Sequence, residues 1–116
     1  MNKKRIEKMM AHTLGQYISQ EIPLADHGVL ITITEVSVTP SLELAKIYIS
    51  LLGKEGLDKE KFLQTQMQEH AWRMRFYLTK KLRNILRSTP KELRFYIDNK
   101  QEVAAQIQET IEKHIT

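Results

Sequence analysis

What most constrains the fold is a pair of alternating apolar runs in the middle of the chain, split by a Pro40-Ser41 turn. In the first, over residues 29–39, Val29, Ile31 and Ile33 alternate with Leu30, Thr32 and Thr34. In the second, over residues 44–51, Ala45, Ile47, Ile49 and Leu51 alternate with Lys46, Tyr48 and Ser50. A period of two, rich in β-branched residues, reads as a half-buried strand. Two such runs joined by a short polar turn predict an antiparallel hairpin. The apolar parity slips at Glu35, so Val36 and Val38 fall out of phase with Val29 and Ile31. A bulge, or partial burial of both faces, accounts for the slip.

Helical patterns flank the hairpin. Ile6, Met9, Met10, Leu14, Tyr17 and Ile18 form one stripe and predict a helix over residues 2–21. Pro23 ends it, because the residue before a proline is pushed out of the helical region. Asp26-His27-Gly28 is a turn signal, and Gly53-Lys54-Glu55-Gly56 a loop. Asp58 is placed to cap the next helix. Its pattern runs through Phe62, Leu63, Met67, Ala71, Met74, Leu78, Leu82 and Ile85 to Arg87. That is longer than a usual globular helix, so a break is expected near His70-Ala71. Ser88-Thr89-Pro90 stops it. Leu93, Phe95 and Ile97 alternate with Arg94 and Tyr96 as a third strand, and Val103, Ala104, Ile107, Ile111 and Ile115 form a last amphipathic helix. The order helix, strand, strand, helix, helix, strand, helix predicts an α+β fold. Its three-stranded sheet carries the helices on one face.

At 116 residues the chain is expected to form a single domain, 1–116. It has no cysteine, which removes disulfides, thiolate metal sites and a cysteine nucleophile. No apolar run approaches the ~18 residues of a membrane span. The basic start Lys3-Lys4-Arg5 is followed by Glu7, Lys8 and His12, which interrupt any signal-peptide core. The expectation is a cytoplasmic protein with no membrane partner.

The net charge of +4 is unevenly spread. Residues 69–96 hold eight cations and two carboxylates, and between His70 and Arg87 there are six cations and no acid. At roughly 100° per residue, Arg73, Lys80, Arg83 and Arg87 share an arc of about 80°, with Phe76 inside it and Trp72 at its edge. Arg75 and Lys81 fall off the arc. Ala71, Met74, Leu78, Leu82 and Ile85 cluster well away from it, on the core side. The bland reading is a solvated face, since Lys and Arg are good helix formers. A surface helix, however, normally mixes signs for its i,i+4 pairs. Phosphates would supply the missing counter-charge, which favours nucleic-acid contact. Lys3, Lys4, Arg5 and Lys8 form a second, smaller basic cluster, for which an ordinary exposed helix start is an equal reading. Trp72 reads equally well as a core anchor and as a stacking platform.

Catalytic and cofactor patterns are missing. His12, His27, His70 and His114 lack metal-ligand spacing, the four glycines form no phosphate loop, and Ser50 and Ser88 sit in no nucleophile motif. A non-enzyme is expected, with no cofactor, no metal and no small-molecule substrate.

The stretch Val36-Ser37-Val38-Thr39-Pro40-Ser41-Leu42-Glu43-Leu44-Ala45-Lys46-Ile47-Tyr48-Ile49-Ser50 resembles the hairpin of the ribosome-binding factor A family. Arg75 with Leu78, Leu82 and Arg83, then Pro90-Lys91-Glu92-Leu93-Arg94-Phe95-Tyr96-Ile97-Asp98, is similar to that family's basic helix and following strand. The resemblance covers nearly the whole chain. It implies a type II KH-like fold, α-β-β-α-α-β plus the C-terminal helix. The family's small A-x-G kink would fall in Glu69-His70-Ala71-Trp72, which contains no glycine, and the usual hairpin Asp is Ser41.

The resemblance further implies a non-catalytic assembly factor, important in the cold. It would act on the small ribosomal subunit (30S) and its 16S rRNA during late maturation; the chain is separately expected to be monomeric in solution. The candidate RNA-binding residues are Arg73, Arg75, Lys80, Lys81, Arg83 and Arg87 on the basic helix, with Lys3, Lys4, Arg5 and Lys8 at the N-terminus. The competing reading is a protein-interaction module, either a homodimer or one that meets an acidic protein, with no direct RNA role.

Overall fold

A computed structural model describes residues 2–98. Helix α1 spans Lys3–Glu21, and its N-terminus is capped by Asn2, whose side chain accepts from the Arg5 N–H at 2.9 Å. Most of the predicted stripe is buried, namely Ile6, Met10, Leu14, Tyr17 and Ile18, with Thr13 among them, while Met9 is half-buried at its edge. The Thr13 hydroxyl is satisfied within the helix by the Met9 carbonyl at 2.8 Å. The Asp26-His27-Gly28 turn is a one-turn helix, α2 (Leu24–His27), that starts after Pro23 and ends at Gly28 in the left-handed region.

Strands β1 (Leu30–Val38) and β2 (Leu44–Leu52) form the hairpin, antiparallel as expected. The register shifts between Ile33 and Glu35, so the parity slip is a β-bulge. One extra residue there returns Val36 and Val38 to the core side, where both are buried. Thr34, at the bulge, turns its hydroxyl to the Tyr48 carbonyl (3.2 Å) and the Asp98 carboxylate (2.5 Å). The connection is closed by Thr39 and Leu44, which exchange backbone and side-chain bonds, and it holds Leu42 at φ 60. That conformation is strained for a residue with a Cβ. Strand β3 (Glu92–Ile97) lies parallel to β2, giving the order β1-β2-β3 with β2 central.

Parallel neighbours need a long crossover, and a helix normally supplies it. Here it comprises α3 (Lys59–Phe62), a π-helical turn (Leu63–Met67) and α4 (Gln68–Leu82), running on without interruption. Asp58 caps its start, accepting from the Lys61 N–H at 3.1 Å. The break expected at His70-Ala71 is not there. No glycine or proline occurs between Asp58 and Arg87 to force one, and the helix adjusts its phase earlier through the π turn instead. The helix also stops sooner than expected. The Leu82 carbonyl accepts from both Ile85 (2.9 Å) and Leu86 (2.8 Å), and the chain turns away. In consequence Leu86 is buried and Ile85 is 53% exposed, the reverse of the periodic expectation.

The helices cover one face of the sheet. The core between them contains Met10, Leu14, Ile22, Ile47, Ile49, Met67, Met74 and Leu78, all essentially fully buried. This is the α+β, KH-like arrangement expected from the sequence. The last amphipathic segment expected over residues 103–115 lies outside the described residues.

Candidate nucleic-acid interface

Helix α4 has two faces with opposite duties. Met74, Leu78 and Leu82 enter the core, while Arg73, Phe76, Lys80 and Arg83 are exposed. Core burial fixes the rotation of the helix, so the polar arc must face solvent. Among the described residues, no carboxylate ion-pairs with Arg73, Lys80, Arg83 or Arg87. The arc is bounded at its N-terminal end by Glu69, one turn before Trp72.

The other candidate cations are placed differently. Arg87 is exposed but lies beyond the end of α4, so its position on the helical arc is corrected: it belongs to the connection toward β3. That connection runs back along the helix. Thr89 and Thr79 share a hydroxyl hydrogen bond of 2.7 Å, Pro90 is fully buried, and the Arg75 guanidinium donates to the Lys91 carbonyl. Arg75 is thereby half-buried and engaged in holding the strand entrance. Lys81 lies with its ammonium 5.5 Å from the centre of the Tyr77 ring, a cation–π distance.

The N-terminal cluster is brought close to the same place. A groove is lined by Arg5, Lys8, Met9, His12 and Thr13 of α1 and by Leu82 of α4. Arg5 and Lys8 therefore border the end of α4 that carries Lys80, Lys81 and Arg83. Lys3 and Lys4 are exposed in the first turn of α1. Two clusters far apart in sequence thus flank one end of the α1–α4 pair.

The sequence places Trp72 at the edge of the arc that holds Phe76 but does not decide between core anchor and stacking platform. It is 65% exposed, and Phe76, one turn on, is 62% exposed. Their ring planes are nearly parallel, at 16°, with centroids 6.0 Å apart. The i,i+4 spacing was the available signal. Also unforeseen is the contact that joins the two long helices. The Tyr17 hydroxyl lies 2.7 Å from His70 Nδ1, and the Tyr17 ring meets Tyr77 edge-on at 5.5 Å. Burial, seconded by Arg73, pulls the His70 pKa below its ordinary value, and burial raises that of Tyr17. On the sheet face away from the helices described, Tyr48 stacks on Tyr96 with centroids 5.5 Å apart.

No three His, Asp or Glu side chains converge to hold a metal among the described residues, and no helix among them is long and apolar enough to cross a membrane.

A family model for ribosome-binding factor A matches residues 2–111. The chain belongs to the ribosome-binding factor A family. The ribosome-binding factor A of Chlorobaculum parvum is 34% identical over 110 residues, covering 93% of this chain and 86% of that protein. That of Prosthecochloris aestuarii is 32% identical over 110 residues, covering 94% and 85%. Among solved structures, the crystal structure of ribosome-binding factor A from Thermus thermophilus superposes with a TM-score of 0.66 at 20% identity, covering 84% of this chain and 97% of that one. A solution structure from Thermotoga maritima, described as a putative ribosome binding factor A, gives 0.54 at 22%, covering 81% and 84%. At those identities the two structures bear on the fold alone.

Proposed function

We propose that this chain is a non-catalytic assembly factor that binds the small ribosomal subunit and its rRNA during late maturation. The outer face of α4 is the proposed grip, with the start of α1 beside it. The observation that carries the reading is the exposed set Arg73, Lys80 and Arg83, which no described carboxylate neutralises. It occurs in a family whose members are named for binding the ribosome. RNA phosphates would provide the counter-charge, and release of their condensed counterions would drive association. Such a factor does its work by binding one rRNA conformation more tightly than another, since a ligand shifts an equilibrium only by its differential affinity. Lys81, Arg87, Lys3, Lys4, Arg5 and Lys8 would add secondary phosphate contacts, and Arg75 the least, because its guanidinium is already engaged.

The test is co-sedimentation with immature small subunits, mature small subunits and large subunits, at low and moderate salt. Selective, salt-weakened pelleting with small subunits supports the reading. A Lys80→Glu/Arg83→Glu variant should pellet poorly while remaining folded. Unchanged pelleting by the folded variant removes the α4 face from the proposal. Competition by free RNA separates this reading from one in which α4 meets an acidic protein.

A further inference from the structure

Phosphate contacts alone leave one feature of α4 without a purpose. Trp72 and Phe76 are large apolar rings held in water, at 65% and 62% exposure, on a helix that has a well-filled core face available. They are not scattered: the planes lie within 16° of each other at 6.0 Å. Arg73 follows Trp72 directly and sits one turn before Phe76; Lys80 sits one turn after Phe76, and Arg83 one turn beyond that. Beside Trp72, a groove between α4 and the entrance to β3 also carries Gln68, Arg75, Lys91 and Glu92, the last ion-paired with Arg94 at 2.9 Å. Flat rings are thus set among cations, a carboxamide and one carboxylate that Arg94 already pairs.

We propose that the Trp72–Phe76 pair is a stacking platform for unpaired RNA bases, so that this face takes single-stranded nucleotides in preference to duplex. This rests on the RNA-binding reading above and specifies which RNA. A duplex keeps its base faces inside the helix and offers a protein its phosphates and grooves, so the two rings would be idle against it. A single strand offers a ring face at every nucleotide, with the phosphate alongside. The interleaving of rings and cations on α4 matches that repeat. Charge also chooses among occupants. An apolar protein surface would have to desolvate Arg73, Lys80 and Arg83 at the rim of the rings without pairing them, which costs free energy.

The experiment uses the whole chain, in which Trp72 is the only tryptophan and so reports on the platform by its own fluorescence. Three labelled probes are titrated at low salt: a short mixed-sequence single-stranded RNA, the same backbone with abasic sites at its centre, and a duplex of equal length. The expected result is quenching of Trp72 by the single strand, with abasic and duplex probes bound about tenfold more weakly. Trp72→Ala/Phe76→Ala should bring the single strand down to the abasic level without altering the salt slope. Trp72→Phe, which keeps a ring, should retain most of the affinity. Both residues lie outside the core, and far-UV circular dichroism verifies folding.

If abasic and intact strands bind alike, and the double alanine variant matches the wild type while Lys80→Glu/Arg83→Glu loses binding, the phosphate interface stands and the platform is refuted. If no probe binds, the RNA reading itself fails and the platform with it. Equal quenching by polyglutamate would assign the face to acidic protein and overturn the proposal.

Discussion

The charge on α4 makes a quantitative prediction about salt. If Arg73, Lys80 and Arg83 each neutralise one phosphate, their joint contribution to the slope of log affinity against log salt is about −2, at roughly −0.7 per contact for a single strand. Raising salt from about 50 to about 200 mM should then weaken that part of the binding about 20-fold. Removing two of the three contacts leaves a factor of about 3. The suitable perturbation is Lys80→Gln/Arg83→Gln rather than charge reversal. Lys80 is in the last turn of α4 and Arg83 is its C-cap, where cations favour the helix dipole. Loss of either charge costs the fold about 0.3–1 kcal/mol, whereas a carboxylate there would be repelled as well. A typical stability of about 5–15 kcal/mol absorbs that loss, so the variant stays folded.

The assay is binding to immature small subunits across a salt series at fixed magnesium. The two lines should diverge at low salt and converge at high salt, with the variant's slope shallower by about 1.4. Parallel lines would mean that Lys80 and Arg83 touch no phosphate, even if the affinity has fallen. Coincident lines would remove α4 from the interface.

The remaining predictions concern the scaffold. Met74 is fully buried, so Met74→Ala should cost about 2–5 kcal/mol in denaturant unfolding; a loss well under 1 kcal/mol would contradict its place in the core. Arg75→Met should lower stability by about 0.5–1.5 kcal/mol through the lost bond to the Lys91 carbonyl, and barely change the salt slope of subunit binding. His70 has a folded pKa below its unfolded value of 6.5 and therefore binds protons better when unfolded. Its contribution is present above pH 6.5 and is lost as pH falls through the folded value. Stability should accordingly drop on acidification below pH 6.5, and His70→Gln should flatten that limb; equal pH profiles would refute the assignment. Lys3→Gln/Lys4→Gln should raise stability by about 0.3–1 kcal/mol per charge removed, because α1 has three cations (Lys3, Lys4 and Arg5) and no acid at its dipole-positive start. The same variant should weaken subunit binding, and a fall in stability would show that these lysines have partners in the fold.

The hairpin was legible because period two commits every other residue to one face, so Ala45, Ile47, Ile49 and Leu51 could hardly point elsewhere. The slip at Glu35 even located the bulge. Helix α4 was legible in its faces, since Met74, Leu78 and Leu82 define the buried stripe. Its length and phase were not. Extending a 3.6-residue period past Leu82 selects Ile85, yet Leu86 is the buried residue. That choice is made by bonds distant in sequence: Thr79 to Thr89, Arg75 to Lys91, and the burial of Pro90. The π turn at Leu63–Met67 has no glycine or proline to mark it. A sequence pattern shows that a long helix must adjust its phase, but local propensity does not say where. The near-parallel setting of Trp72 and Phe76 likewise depends on side-chain torsions that spacing leaves free.

The early end of α4 also changes what its charge means. Read as a helix to Arg87, the arc stacks Arg83 against Arg87 at i,i+4, a repulsion of about 0.2–0.5 kcal/mol that the fold would have to offset. With the helix ending at Leu82, that pair is gone, and Lys80, Lys81 and Arg83 gather at the dipole-negative end, where they are stabilising. The fold tolerates this face at little cost. The start of α1 argues the other way. Lys3 and Lys4 oppose the dipole, while Arg5 and Lys8 from the same end of α1 share a groove with Leu82 of α4. An external anion would offset the unfavourable dipole at the start of α1 and pair with the cations of α4 as well. The end of the α1–α4 pair is therefore where bound phosphate would gain most, and the opposite signs expected for Lys3/Lys4 in stability and in binding follow from that asymmetry.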